Sequence, residues 1–184
     1  MSITIETPRL MLRPPKLGDW EAICAFLGSD RARHIGGPYT RAKAWRGFGH
    51  MVGHWTLRGF GLFVGIEKDS GAPVLSAGPW FPEGWPEHEL AWSVWDARAE
   101  GTGLAAEAAI ATRDWAYSEL GLSTLVSYIG ASNTRSAALA KRVGCVIDPN
   151  APLIDDGEED AHQDAYHVWR HPAADADGNP GAYA

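Results

Sequence analysis

Cysteine is nearly absent: Cys24 and Cys145 are the only two, and nothing in their placement matches a metal-ligand spacing. This excludes a disulfide framework, and the two thiols read as buried groups in a reducing cytoplasm. Positive charge is also in short supply. Sixteen Lys and Arg face 23 Asp and Glu, for a formal net charge of -7, which argues against broad binding to nucleic acid or to an anionic membrane. No apolar run reaches the roughly 18 residues of a membrane span, and no basic leader precedes an apolar core, so neither membrane nor export is predicted. No internal repeat is visible. At 184 residues, 45% hydrophobic and 21% charged, the chain is expected to form one domain over 1–171. An acidic loop is expected at 149–164, where Asp155, Asp156, Glu158, Glu159 and Asp160 show no apolar period. A disordered tail is expected over 172–184. No metal is predicted, because the acidic stretch near His162 and His167 matches no defined carboxylate loop. Tryptophan, by contrast, is abundant, and nine of them suggest a core or cleft built on large flat rings.

The informative stretch runs from Glu89 to Tyr117. Leu90, Trp92, Val94 and Trp95 suit a strand over Glu89 to Val94. Leu104, Ala108, Ala111 and Trp115 recur on one face of an Ala-rich helix. Between them lies Arg98-Ala99-Glu100-Gly101-Thr102-Gly103. A glycine turn opening a helix offers unpaired N–H groups at the positive end of the helix dipole, and so a place for an anion such as phosphate. The simpler alternative is a tight strand-to-helix turn. A nucleotide P-loop is weakened as a reading because no lysine follows Gly103, and a dinucleotide fold because the next strand, Thr124 to Ile129, leads into Gly130-Ala131-Ser132-Asn133 without an acidic residue.

The rest of the chain can be ordered around this stretch. Thr7 to Pro14 reads as a strand with Leu10 and Leu12 inward. A helix follows Gly18-Asp19 with Trp20, Ile23, Cys24 and Leu27 on one face, and a second follows Thr40 with Trp45, Phe48, Val52 and Trp55 on one face. Strands are expected over Gly59 to Ile66 and Val74 to Ala77, then a proline-rich loop with aromatic tips over Pro79 to Pro86. After the long helix ends at Gly121, Asn133 or Thr134 opens another that closes at Gly144. Val146-Ile147 and Ala165 to Arg170 read as the last strands. Consecutive strands in the middle make this an α+β pattern rather than a doubly wound one.

Several of these motifs together resemble the GNAT superfamily of N-acetyltransferases. Arg98-x-x-Gly101-x-Gly103 is similar to its Q/R-x-x-G-x-G/A pyrophosphate signature. Glu6-Thr7-Pro8-Arg9-Leu10-Met11-Leu12-Arg13-Pro14 resembles the opening of the branch that acetylates ribosomal-protein alanine. Leu104 to Ala108 resembles that branch's helix opening, and Asn133-Thr134-Arg135-Ser136 with Lys141 to Cys145 resembles its closing element. Glu100, Thr102, Leu104 and Cys145 depart from the branch's usual residues.

The resemblance implies a mixed, mostly antiparallel central sheet flanked by helices and splayed at its central strands. It also implies transfer of acetyl from acetyl-coenzyme A to a primary amine, on a protein N-terminus or a small molecule, by direct attack in a ternary complex. Main-chain groups of Val94, Trp95 and Asp96 would hold the pantetheine arm, and those from Arg98 through Gly101, Thr102, Gly103 and Leu104 the pyrophosphate. Asn133 and Ser136 would complete the cofactor side, with Arg135, Lys141 and Arg142 available to the adenosine 3′-phosphate. Ser136 would protonate the leaving thiolate, and Glu89, with His88 as its rival, would orient the amine or take its proton. The alternative is a catalytically inactive coenzyme A-binding or protein-interaction module presenting Trp80, Phe81 and Trp85. Monomer and homodimer are equally compatible with the sequence.

Overall fold

In the computed structural model, residues 3–155 and 165–174 are described. Strands β1 (Ile5–Glu6) and β2 (Leu10–Arg13) lead to helices α1 (Trp20–Leu27) and α2 (Arg41–Arg58), separated by a 3-10 turn over Asp30–Ile35. A three-strand meander follows: β3 (Phe63–Glu67), β4 (Pro73–Trp80) and β5 (Glu89–Val94). Helix α3 (Leu104–Leu120), β6 (Val126–Gly130), α4 (Thr134–Arg142), β7 (Val146–Ile147) and β8 (Tyr166–Arg170) complete the chain. Local chemistry sets these boundaries. The Thr40 hydroxyl caps α2 by accepting from the Lys43 N–H, the Asn133 side chain caps α4 by accepting from the Ser136 N–H, and Gly121 ends α3 in the left-handed conformation.

The strands form one eight-stranded sheet in the order β1-β2-β3-β4-β5-β6-β8-β7. Every pairing is antiparallel except β5 with β6. That exception organises the molecule. β5 is fully laddered to β4, from Leu75↔Val94 to Trp80↔Glu89, and β6 is fully laddered to β8. Between them the register contains one pair, Glu89↔Val126. The Ser127 hydroxyl then reaches across to the Leu90 carbonyl at 2.6 Å, and beyond it the strands part, leaving a gap in the middle of the sheet.

Helix α3 seals one face of both half-sheets. Its Leu104 and Ala108 pack with Leu10, Leu12, Phe63 and Leu75, while Ala109, Ala116 and Tyr117 pack with Leu90, Leu125, Ile129 and Trp169. Small alanines let the helix lie close to the sheet on either side of the gap. On the opposite face α1 and α2 bury Ile23, Phe26, Phe48 and Met51 against Val64, Ile66 and Trp95.

Three local expectations are corrected. The buried stripe of α2 is Ala44, Phe48, Met51 and His54, offset from the expected one. Trp45 stays 50% exposed and Val52 is exposed as well, because Trp45 sits edge-on to Trp20 at the rim, ring centroids 4.9 Å apart. Pro79 and Trp80 belong to β4, not to a loop, and pair with Leu90 and Glu89. The missing N–H of Pro79 is tolerated because β3, which ends its pairing at Phe63↔Ala77, no longer runs beside it. The tail expected from Pro172 is docked at its start: the Tyr117 hydroxyl donates to the Pro172 carbonyl at 2.7 Å and Ala174 packs on the α3 core. The remainder of the tail, and residues 156–164 of the acidic stretch, lie outside the described residues. No helix among the described residues is long and apolar enough to cross a membrane.

Candidate active site

The gap between β5 and β6 opens toward the turn that joins β5 to α3. Asp96 starts this turn by accepting from the Arg98 N–H at 2.9 Å, and a short 3-10 segment, Ala97–Ala99, follows. The Thr102 hydroxyl donates back to the Ala99 carbonyl at 2.7 Å. Gly101 and Gly103 hold φ of 72° and 88°, the left-handed region where a side chain is strained. At Gly103 an added Cβ would also meet the Arg9 guanidinium at 3.3 Å.

The N-terminal motif braces this turn from outside. Glu107, in the first turn of α3, accepts from the Thr7 hydroxyl at 2.7 Å and from the Arg9 N–H at 2.8 Å. The Arg9 side chain bonds both Glu107, at 2.7 Å, and the Thr102 carbonyl, at 2.9 Å. Thr7 and Arg9 thus hold the turn in place from the connection between β1 and β2.

A cavity of about 620 Å³ fills the space between these elements, lined by Trp92 to Val94, the turn from Ala99 to Gly103, the start of α3, one side of α4 and the turn carrying Arg31. Its charge is lopsided: Arg31, Arg33, Arg135 and Arg142 line it with one acid, Glu100. In a chain with a surplus of acids, that lining selects for an anion.

Main-chain groups of β5 also face the cavity. The Trp95 N–H points to β4, where it donates to the Val74 carbonyl at 2.8 Å, and the Leu90 carbonyl points to β6. Strand alternation then turns the peptide groups of Trp92 and Val94 toward the gap. The Arg31 guanidinium lies over the far end, donating to the Val94 carbonyl at 2.9 Å and to the Trp95 carbonyl.

Of the residues named from sequence, Val94, Gly101, Gly103, Asn133, Arg135, Ser136 and Arg142 line this one cavity. The others are placed differently. The side chains of Trp95 and Leu104 are buried in core clusters, and the Asp96 N–H is bonded to Val74 at 3.1 Å. Arg98 folds back onto Asp96 at 2.5 Å with its side chain 80% exposed, and its N–H and that of Glu100 are used within the turn. Lys141 lies 5.9 Å from the centroid of the Trp169 ring. The sequence reading missed Arg31 and Arg33; both come from a short turn with no periodicity, and the only available signal was their positive charge in a chain poor in it.

Ser136 accepts from the Trp92 indole N–H at 3.3 Å. With the oxygen fixed as acceptor, its own proton remains to be donated. Glu89 stands at the base of the gap, at the single β5–β6 pair. Burial pushes its carboxyl up to about 7, against the smaller opposing effects of the Trp85 indole N–H, which donates to it at 2.9 Å, and of the Tyr128 main-chain N–H. His88 stacks on Phe81 with ring centroids 4.1 Å apart, and its pKa is lowered, first by burial and then by the charge of Arg58. Cys145 is buried, and desolvation raises its thiol to about 12, so it is no nucleophile. Among the described residues no cluster of His, Cys, Asp and Glu could hold a metal.

A sheet opened between two parallel strands, with a glycine turn and a cationic lining at the opening, makes a cleft suited to a slender anionic ligand. The sequence profile of the acetyltransferase (GNAT) domain matches residues 9–146. The chain belongs to that family, and is an acetyl-coenzyme A-dependent acyltransferase. Among solved structures it is similar to an acetyltransferase from Agrobacterium tumefaciens, at 37% identity and a TM-score of 0.80 over 92% of this chain and 94% of that one. The fold is shared with ribosomal-protein-S5-alanine acetyltransferase from Vibrio fischeri, at 16% identity and a TM-score of 0.71, covering 95% and 98%. It is shared too with RimL, a ribosomal L7/L12 alpha-N-protein acetyltransferase solved with coenzyme A, at 14% identity and a TM-score of 0.67, covering 92% and 96%. Comparison with curated proteins finds no significant sequence match.

Proposed function

We propose that this chain transfers acetyl from acetyl-coenzyme A to a primary amine, a protein N-terminus first and a small amine second, with the cofactor seated in the gap between β5 and β6. The observation that carries this reading is the gap itself: one paired position, then main-chain groups of Trp92 and the Val94 N–H turned toward the gap, ending in a glycine turn amid arginines. These features fit the three parts of the cofactor. The strand-like peptide groups suit the amides of pantetheine. The N–H groups of Gly101, Thr102 and Gly103 at the start of α3 suit a pyrophosphate, and Arg135 and Arg142 on α4 suit a further phosphate. Asn133 serves first as the cap that fixes the start of α4.

Bound acetyl-coenzyme A supplies the activated thioester. The protein's contribution is to position the amine and to move two protons. Glu89, with its carboxyl near 7, is substantially ionised at neutral pH and accepts the amine proton through water. Ser136, oriented by Trp92, donates its hydroxyl proton to the departing thiolate. Trp80, Phe81 and Trp85 beside Glu89 wall the acceptor side.

Calorimetric titration with acetyl-coenzyme A, followed by a thiol-release screen over peptide N-termini and small amines, tests the reading. Micromolar-range binding, lost in Gly103→Trp, with thiol release for one acceptor class, is the expected result. Binding without release to any amine would instead favour a catalytically inactive module. A folded wild type that does not bind would overturn the reading altogether.

A further inference from the structure

Glu100 stands within the phosphate-binding turn, where an acid should repel the ligand. Its contacts change that expectation. One carboxylate oxygen accepts from Arg31, Nε at 3.1 Å and a terminal nitrogen at 2.7 Å. The other accepts from Arg135 at 2.7 Å. A single carboxylate therefore bridges the turn to α4 on one side and to the Asp30–Ile35 turn on the other, within the lining of the cavity.

The two arginines are held very differently. Arg31 is fixed by Glu100 and by the Val94 and Trp95 carbonyls together, with its side chain 26% exposed. Arg135 has Glu100 as its sole bonded partner among the described residues, with its side chain 76% exposed. Arg31 is a brace and Arg135 a movable arm.

We propose that Glu100 is a built-in competitor for the phosphates of acetyl-coenzyme A: it holds the Arg135 guanidinium that an entering phosphate needs, so that binding exchanges one anion for another and Glu100 sets the affinity. The proposal rests on the acetyl-coenzyme A reading above. Guanidinium forms the same paired hydrogen bonds with carboxylate and with phosphate, so the exchange conserves Arg135's bonding and costs only its release from Glu100. Arg31 keeps Glu100 on its own side of the cavity once Arg135 has moved. Glu100 is thus a positioning residue for the cofactor, acting through Arg135.

Glu100→Gln keeps the size and removes the charge. Its dissociation constant, measured by calorimetry on protein shown by its melting curve to be folded, is expected to fall about two- to fivefold for acetyl-coenzyme A, the range of a partly exposed ion pair. For S-acetylpantetheine, which carries no phosphate, it should not change. A merely structural role would move both ligands alike. Arg135→Gln should weaken acetyl-coenzyme A binding and cancel the gain in the double variant. With the 3′-dephospho cofactor, a retained gain assigns the exchange to the pyrophosphate and a lost gain to the 3′-phosphate, and either upholds it. Equal or weaker binding by Glu100→Gln, or a gain that survives removal of Arg135, overturns the proposal while leaving the acetyltransferase reading intact. A folded wild type that binds no acetyl-coenzyme A overturns both.

Discussion

Glu89→Gln separates what the carboxyl does for the reaction from what it costs the fold. Glu89 has an ordinary pKa of 4.5 that burial lifts to about 7 in the folded protein. Below pH 4.5 it is protonated whether the chain is folded or not, and it places no charge in the interior. Between 4.5 and 7 the unfolded chain has released the proton while the folded protein keeps it, so stability falls as pH rises. Above 7 the folded protein also carries the charge, and the loss is complete. Each pKa unit is worth about 1.4 kcal/mol, so the full cost is about 3 kcal/mol. Glutamine is neutral throughout and can still accept from the Trp85 indole. Glu89→Gln should therefore match wild type near pH 4.5 and exceed it by up to about 3 kcal/mol at pH 8, as measured by urea unfolding across that range. The same substitution should lower kcat about 10²- to 10⁴-fold, as expected for a lost proton acceptor, and remove the rise in wild-type rate through pH 7. A stability difference that does not vary with pH would show that the carboxyl is not desolvated, and the reasoning about its basicity would fall with it.

Other residues give sharper local tests. Ser136→Ala should lower kcat up to about 10²-fold with little change in melting temperature, and Trp92→Phe, which removes the indole N–H from the Ser136 oxygen, should reproduce part of that loss. His54 accepts from the Phe81 N–H at 2.9 Å, and its pKa is lowered, chiefly by burial; protonation below the ordinary value of 6.5 removes that acceptor. Stability contributed by His54 is thus present at neutral pH and lost as the pH falls, and exchange of the Phe81 amide, corrected for intrinsic rate, should show protection at pH 7.5 that disappears toward pH 5. Glu107→Ala strips acceptors from Thr7 and Arg9 at once and should cost about 1–3 kcal/mol in thermal or urea unfolding. Acetyl-coenzyme A affinity should drop with it, since the turn loses its brace.

The parts of the fold legible in the sequence were those written in backbone chemistry. Gly103 and Gly121 delimit α3 because both positions are left-handed, and the Asn133 cap marks α4 for the same kind of local reason. The β5 strand and the glycine turn could be read within one continuous stretch, and with them Val94, Gly101, Gly103, Asn133 and Ser136 of the cavity lining. Tertiary packing was less accessible. The face of α2 was misjudged because Trp45, the most apolar-looking position, finds its ring partners at the rim rather than in the core. Pro79 was read as breaking the strand, although the end of β3 beside it makes the missing N–H harmless. Arg31 offers the sequence only its charge as a signal: its importance comes from contacts with residues more than sixty positions away.

Sheets ordinarily confine unsatisfied peptide groups to their outer strands, where another chain can find them and aggregation begins. Here the parting of β5 and β6 moves adhesive backbone to the middle of the sheet, flanked by laddered strands and roofed by α3. Such an internal edge is closed to a whole foreign strand yet open to a slender thread entering from one end. On the proposed function the cofactor thereby gains a sticky surface while the sheet's rim stays short, with only two residues in each outermost strand.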